Sequence, residues 1–227
     1  MKKNKIFIAC DTKNIKKIKK IIKYTKHKKI NFGYKFGLEF FYSTHGRSFI
    51  KKLKNKQIFL DLKLNDIPNT CGAAVESLAD VKNIKYITAH INGGYQMLKK
   101  IKKKSKKIKI LGITVLTSID NSSLKEIGFN SKIKDIVIKQ AKLAKKAGID
   151  GIVCSPWEVP YIKNICKKME IVTPGIRFNH NSNNDQKRVM QPNDAFNRGA
   201  TSIVIGRSLT IGNIKNNFKV LLDHLYK

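Results

Sequence analysis

Acidic residues are scarce in this 227-residue chain: 15 Asp plus Glu face 47 Lys plus Arg, a formal net charge of +32. Taken alone, that excess belongs to proteins that coat nucleic acid or an anionic membrane. Arginine is scarce as well, and this points away from such partners. The arginines are Arg47, Arg177, Arg188, Arg198 and Arg207, so 42 of the basic residues are lysines. Nucleic-acid recognition draws on the planar guanidinium, which grips phosphate and guanine through two parallel hydrogen bonds. Lys, Asn and Ile are abundant together and share A/T-rich codons. Genome composition accounts for that trio, and no specific nucleic-acid partner is expected.

Other absences narrow the class further. Cys10, Cys71, Cys154 and Cys166 show neither CxxC nor Cys/His spacing, which predicts free, mostly buried thiols and neither a zinc site nor a disulfide framework. The apolar run in MKKNKIFIACD stops at Asp11, too short for a signal peptide, and no stretch approaches the ~18 apolar residues of a membrane span. A soluble, cytoplasmic protein without a membrane partner is expected. No Pro/Gly/Ser-rich linker divides the chain, so residues 1–227 read as one domain. No Walker A, GxGxxG or HExxH pattern supports nucleoside-triphosphate, dinucleotide or zinc-protease chemistry. What is present is a hydrophobic content of 41%, enough for a real core.

That content is distributed as short runs: Ile6–Ala9, Phe32–Phe36, Ile58–Leu60, Tyr86–Ala89, Ile108–Val115, Gly151–Cys154, Ile171-Val172 and Ile203–Ile205. Several are continuously apolar, as strands buried on both faces of a parallel sheet are. Helical patterns lie between them. Residues 134–147 place Ile136, Gln140, Leu143, Ala144 and Ala147 on one face, and Gly148 is placed to stop the helix. The sequence of helix, glycine and strand recurs at Ala147-Gly148 before Gly151 and at Arg198-Gly199 before Ser202. Eight strands alternating with helices predict an α/β fold, either a closed (β/α)8 barrel or an open doubly wound sheet.

Polar groups follow nearly every strand: Asp11, Lys35, the stretch DLKLNDIPNT from Asp61 to Thr70, His90, Thr117-Ser118, Ser155, TPGIR ending at Arg177, and Gly206-Arg207. In α/β folds this is the end where active sites are built. Asp61 and Lys63 are two apart on an extended segment, which puts both side chains on one face. With Asp66 beyond, two carboxylates held around an ammonium keep Lys63 protonated and ready to donate. An ordinary surface ion pair would explain Asp-x-Lys alone; the rigid turn after it, with Lys35 and Asp11 nearby, favours a site. Gly206 lets backbone N–H groups approach an anion, the helix after it offers its positive end, and Arg207 and Arg177 add bidentate partners. His90 reads as a structural hydrogen bonder and Trp157 as packing.

DLKLNDIPNT, TAHINGG, TVLTS, GIVCS, TPGIR, NDQKR and IVIGRS, in this order, resemble the orotidine 5′-phosphate decarboxylase family over nearly the whole chain. The resemblance implies a single (β/α)8 TIM barrel, homodimeric with shared active sites and using neither metal nor organic cofactor. It implies conversion of orotidine 5′-monophosphate to UMP and carbon dioxide, the last step of de novo UMP synthesis. It assigns Asp11 and Lys35 to the ribose, and Asp61, Lys63 and Asp66, together with Lys35, to the charged catalytic array, with Lys63 the proton donor. Asp66, Ile67 and Thr70 would complete the neighbouring subunit's pocket. Thr117 and Ser118 would lie near the pyrimidine and Gln186 would bridge base and phosphate. Arg177, Gly206 and Arg207 would hold the phosphate. The alternatives weighed are a magnesium-dependent sugar-phosphate decarboxylase or aldolase barrel, and a basic nucleic-acid-binding protein.

Overall fold

The computed structural model describes residues 5–178 and 189–226. Its strands are β1 (Lys5–Ala9), β2 (Phe32–Gly37), β3 (Ile58–Leu64), β4 (Ile84–His90), β5 (Lys109–Ile113), β6 (Gly151–Val153), β7 (Glu170–Ile176) and β8 (Ser202–Ile205). Each pairs in parallel with the next, and β8 pairs with β1, so the sheet closes on itself as a barrel. Closure decides between the two architectures that periodicity leaves open.

Helices cover the outside because their apolar faces match the outward residues of the strands. The helix Ile133–Ala147 buries Ile136, Val137, Gln140, Ala141, Ala144 and Ala147 at three- and four-residue spacing. Gly148 ends it in the left-handed conformation, φ 72°, its N–H reaching the carbonyls of Ala144 and Lys145. Inside the barrel, Phe7, Phe59, Tyr86, Leu111, Val172 and Val204 form a separate cluster. Phe7 meets Phe59 and Tyr86 edge to face, each pair with ring centroids 5.2 Å apart. Gly33 makes room for that ring: a Cβ there would lie 2.5 Å from Phe7. The alternation that turns Phe7 and Phe59 inward carries Asp11, Lys35 and Asp61 toward the barrel's C-terminal mouth.

At the opposite end the barrel is closed by charge. Glu170 accepts from Lys5 Nζ at 3.2 Å, from the Tyr86 hydroxyl at 3.1 Å and from Lys109 Nζ, while Lys5 also donates to Tyr86 at 2.7 Å. Burial pushes the Glu170 carboxyl upward, but Lys109 and Lys5 outweigh it and hold its pKa below the usual glutamate value. The unfolded chain therefore binds the extra proton first. This contribution to stability is full above the ordinary glutamate pKa of about 4.3 and is lost as pH falls through the lower folded value. Replacing Glu170 with Gln is expected to cost about 1–2 kcal/mol at pH 7, a figure reduced because both lysines are partly solvated. Denaturant titration at pH 7 and at pH 3 checks this, and the difference between variant and parent shrinks at the lower pH.

Four details differ from expectation. β3 runs on to Leu64 and β7 to Ile176, past the ends expected at Leu60 and Val172, because each carries a register shift against its neighbour. In β7 the Thr-Pro-Gly stretch is a kink inside the strand, with Gly175 at φ 78°, and not a loop after it. β5 is shorter than Ile108–Val115, ending at Ile113. Trp157 is 48% exposed, with the Arg198 guanidinium 4.6 Å from its ring centre, so it is a surface cation–π partner and not a core residue. The cysteines Cys10, Cys71, Cys154 and Cys166 are free and buried.

Candidate active site

The mouth of the barrel holds a row of charges of alternating sign. Lys35 Nζ donates to Asp11 Oδ1 at 2.9 Å and lies 3.3 Å from Asp61 Oδ2. That same Oδ2 accepts from Lys63 Nζ at 2.9 Å. Asp11, Lys35, Asp61 and Lys63 thus form one chain of ion pairs contributed by two neighbouring strands, β2 and β3, and the residues just after β1. Gly37, facing the same space, keeps it open; a Cβ there would stand 3.3 Å from Asp11 Oδ1.

Burial works against the charge on Lys35, but Asp61 and Asp11 outweigh it and raise its pKa above the ordinary lysine value. Asp61 responds in the opposite sense: burial pushes it up, and Lys35 and Lys63 pull it below the usual aspartate value. Both directions favour the ionised forms, so Lys35 and Asp61 remain charged around neutral pH.

Lys63 reaches its place through an unusual backbone. The strand is not extended there: φ is 53°, the left-handed region, which costs about 1–2 kcal/mol for a residue with a side chain. The shift in β3 between Leu60 and Leu64 removes the Lys63 N–H from the regular ladder with β4. The Thr88 hydroxyl accepts that N–H at 2.9 Å and donates to Asp61 Oδ1 at 3.0 Å. The two-residue spacing brings Asp61 and Lys63 together as expected, but through a bulge and not through simple alternation.

The charged row opens into a cavity of about 590 Å³. Asp11, Lys35, Asp61, Lys63, Thr117, Ser118, Arg177, Gly206 and Arg207 all line it. Phe59, Ile113, Val115 and Val153 supply an apolar wall between the charges. A cavity with a mostly apolar lining and ionic groups at fixed points suits a flat heterocycle bearing an anion. A larger cavity, about 810 Å³, lies at the opposite end of the barrel among lysine and amide side chains. It has no comparable row of paired charges.

Three residues expected to serve the neighbouring subunit stand apart from this cavity. Asp66, Ile67 and Thr70 are exposed and do not line their own chain's cavity. Asp66 Oδ1 instead accepts the Ile67 N–H at 2.6 Å, and among the described residues no lysine lies within ion-pair distance of it. Lys63 is therefore flanked by one carboxylate of its own chain, Asp61, while Asp66, expected to serve the neighbouring subunit, faces away from its own chain's cavity. Gln186 lies outside the described residues. His90 is half-buried and does not line the cavity; burial and the nearby Lys63 lower its pKa, which leaves it neutral. Thr88, buried and in contact with both reactive residues, was missed. Its signal was a threonine two residues before His90 in a largely apolar strand.

Residues 4–213 match the model of the family described as "Orotidine 5'-phosphate decarboxylase / HUMPS family". The chain is similar to the orotidine 5'-phosphate decarboxylase of Wolbachia pipientis subsp. Culex pipiens, 47% identical over 78% of this chain and 79% of that one. It is similar also to that of Ehrlichia canis, 42% identical over 92% of this chain and 91% of that one. Among solved structures, the orotidine 5'-phosphate decarboxylase of Lactobacillus acidophilus superposes with a TM-score of 0.83 at 32% identity, covering 99% of this chain and 100% of that one. Barrel closure, the DLKLND array and this breadth of similarity agree, and the chain belongs to the orotidine 5'-phosphate decarboxylase / HUMPS family.

Proposed function

We propose that this chain decarboxylates orotidine 5′-monophosphate to UMP and carbon dioxide, the last step of de novo UMP synthesis, and that the residues 1–227 act as one barrel domain. The observation that carries the proposal is the alternating row Asp11–Lys35–Asp61–Lys63 facing the same cavity as Arg177 and Arg207. Loss of carbon dioxide from C6 leaves an electron pair on carbon. Lys63 stabilises that developing charge and then transfers its proton to C6. Asp61 holds the ammonium in place, and its own charge opposes the substrate carboxylate, favouring departure as neutral carbon dioxide.

Asp11 and Lys35 take the ribose, Thr117 and Ser118 lie against the pyrimidine, Gln186 bridges base and phosphate, and Arg177, Gly206 and Arg207 take the phosphate. Binding energy from that remote anion is expressed at the reacting carbon. The catalytically competent form is a homodimer in which Asp66, Ile67 and Thr70 of each subunit complete the pocket of the other. Their exposure supports this, since Ile67 is 66% exposed in the single chain. Among the described residues no helix is long and apolar enough to cross a membrane, and we place the enzyme in the cytoplasm.

The array also bears on the magnesium-dependent alternative. Asp61 Oδ2, the oxygen a divalent ion would need, already faces two ammonium groups at 2.9 and 3.3 Å. Lewis-acid assistance at that oxygen would require displacing both. The test is turnover of orotidine 5′-monophosphate by the purified chain in excess chelator, followed by the absorbance change on conversion of orotate to uracil. Full activity is expected, with none on a pentulose or hexulose phosphate. Chelator-sensitive turnover of a sugar phosphate would replace this proposal with the alternative.

A further inference from the structure

Thr88 is wholly buried and its side chain has one hydroxyl, yet that hydroxyl answers two demands of the charged row. It accepts the backbone N–H of Lys63, which the bulge in β3 leaves without a ladder partner, and it donates to Asp61 Oδ1. Asp61 Oδ1 is thereby occupied, and Oδ2 is the oxygen presented to Lys63 and Lys35. Lys63 is held at φ 53° from the same point.

We propose that Thr88 is a positioning residue for decarboxylation: its hydroxyl clamps the Lys63 backbone and the Asp61 carboxylate together and so fixes where the Lys63 ammonium stands. The proposal rests on the decarboxylase reading of the site and adds a residue to it. Thr88 is buried and does not line the cavity; it acts through Asp61 and Lys63. Its geometry explains why a lysine with a left-handed backbone is tolerated at the reacting centre, because a hydroxyl with one donor and two acceptor sites satisfies both neighbours at once. Freed of that bond, the Asp61 carboxylate rotates about its last torsion and the ammonium follows it. A displacement of about 1 Å at a reacting group is enough to lower a rate by ~100-fold.

The test compares Thr88→Val, which keeps the shape and removes the hydroxyl, with Thr88→Ser, which keeps the hydroxyl; Thr88→Ala serves if the valine variant does not fold. For Thr88→Val, kcat is expected to fall between about tenfold and 100-fold, while KM and UMP affinity stay within about threefold. Thr88→Ser should recover kcat to within about threefold of the parent. Exchange of the UMP C6 hydron in heavy water, which reads proton transfer by Lys63 without carbon dioxide loss, should fall in parallel with kcat. Amide hydrogen exchange at Lys63 is measured alongside as a readout that needs no turnover; it should accelerate at least about tenfold in Thr88→Val. An unchanged kcat in folded Thr88→Val, or a serine variant no better than valine, overturns the proposal. If the parent does not turn over orotidine 5′-monophosphate, the decarboxylase reading fails, and the Lys63 amide then decides the clamp by itself: acceleration supports it and its absence rejects it.

Discussion

Lys63→Ala is expected to lower decarboxylation of orotidine 5′-monophosphate by at least about 10⁴-fold, while UMP binds within about threefold of the parent. Two separate contributions leave with the ammonium. Charge stabilisation by one preorganised group is worth about 10²–10³ in rate, and proton delivery by a positioned acid about 10²–10⁴. They act on the same developing carbanion, so their losses do not simply multiply. The proposed phosphate and ribose contacts are expected to survive, because Arg177, Arg207 and Asp11 line the cavity independently of the Lys63 side chain. Lys35 stays beside Asp61 at 3.3 Å and keeps that carboxylate partly compensated, so the variant should fold.

Single-turnover kinetics at saturating substrate, with calorimetric UMP titration, separates the two effects. Lys63→Arg divides charge from proton: a guanidinium stays protonated throughout the neutral range, so it can stabilise but not deliver. It should recover no more than about tenfold over the alanine variant. Turnover of Lys63→Ala within tenfold of the parent would mean that another group protonates C6.

The barrel was legible because its strands are buried on both faces, and that leaves continuous apolar runs such as Ile6–Ala9 and Ile203–Ile205. The site residues were legible because a polar or ionisable group follows nearly every run. Closure of the sheet was not, since an open doubly wound sheet uses the same periodicity. What escaped was backbone irregularity. A register shift depends on how two strands pair, which local pattern does not encode, so Lys63 looked like an ordinary extended residue and Thr-Pro-Gly like a loop. Thr88 escaped for the same reason: its partners exist only once β3 bulges against β4. Spacing alone sets Asp66 just beyond the strand end, and the turn directs it away from its own chain's cavity.

Net charge carried the least information. An excess of +32 spread over 227 residues says little about a partner when most of it is lysine. At physiological ionic strength the Debye length is about 8 Å, so surface lysines add only modestly to capture of an anionic substrate. The informative cations are those that are paired and placed: Lys35 and Lys63 on Asp61, and Arg177 and Arg207 in the same cavity.

Two inactive variants are expected to restore each other. Asp66 and Ile67 stand outside their own cavity at the start of the helix Pro68–Glu76, whose proline at the first turn makes the segment rigid. Ile67 is 66% exposed there, and burying that side chain against a second copy would contribute about 1–2 kcal/mol. If Asp66 of one subunit completes the array of the other, every site needs Lys63 from one chain and Asp66 from its partner. A heterodimer of Lys63→Ala and Asp66→Ala then contains one site with both lesions and one with neither.

Random assortment makes half of all dimers mixed, so about a quarter of all sites become native, and activity should rise to about a quarter of the parent's. Heterodimers isolated through two different affinity tags should reach about half. Cis completion of the site gives a different number, the mean of the two inactive parents. Native mass spectrometry establishes that mixed dimers have formed, and activity is read on the same sample. Mixed dimers no more active than that mean would place Asp66 outside the partner's site, and would leave Lys63 with the single carboxylate its own chain provides.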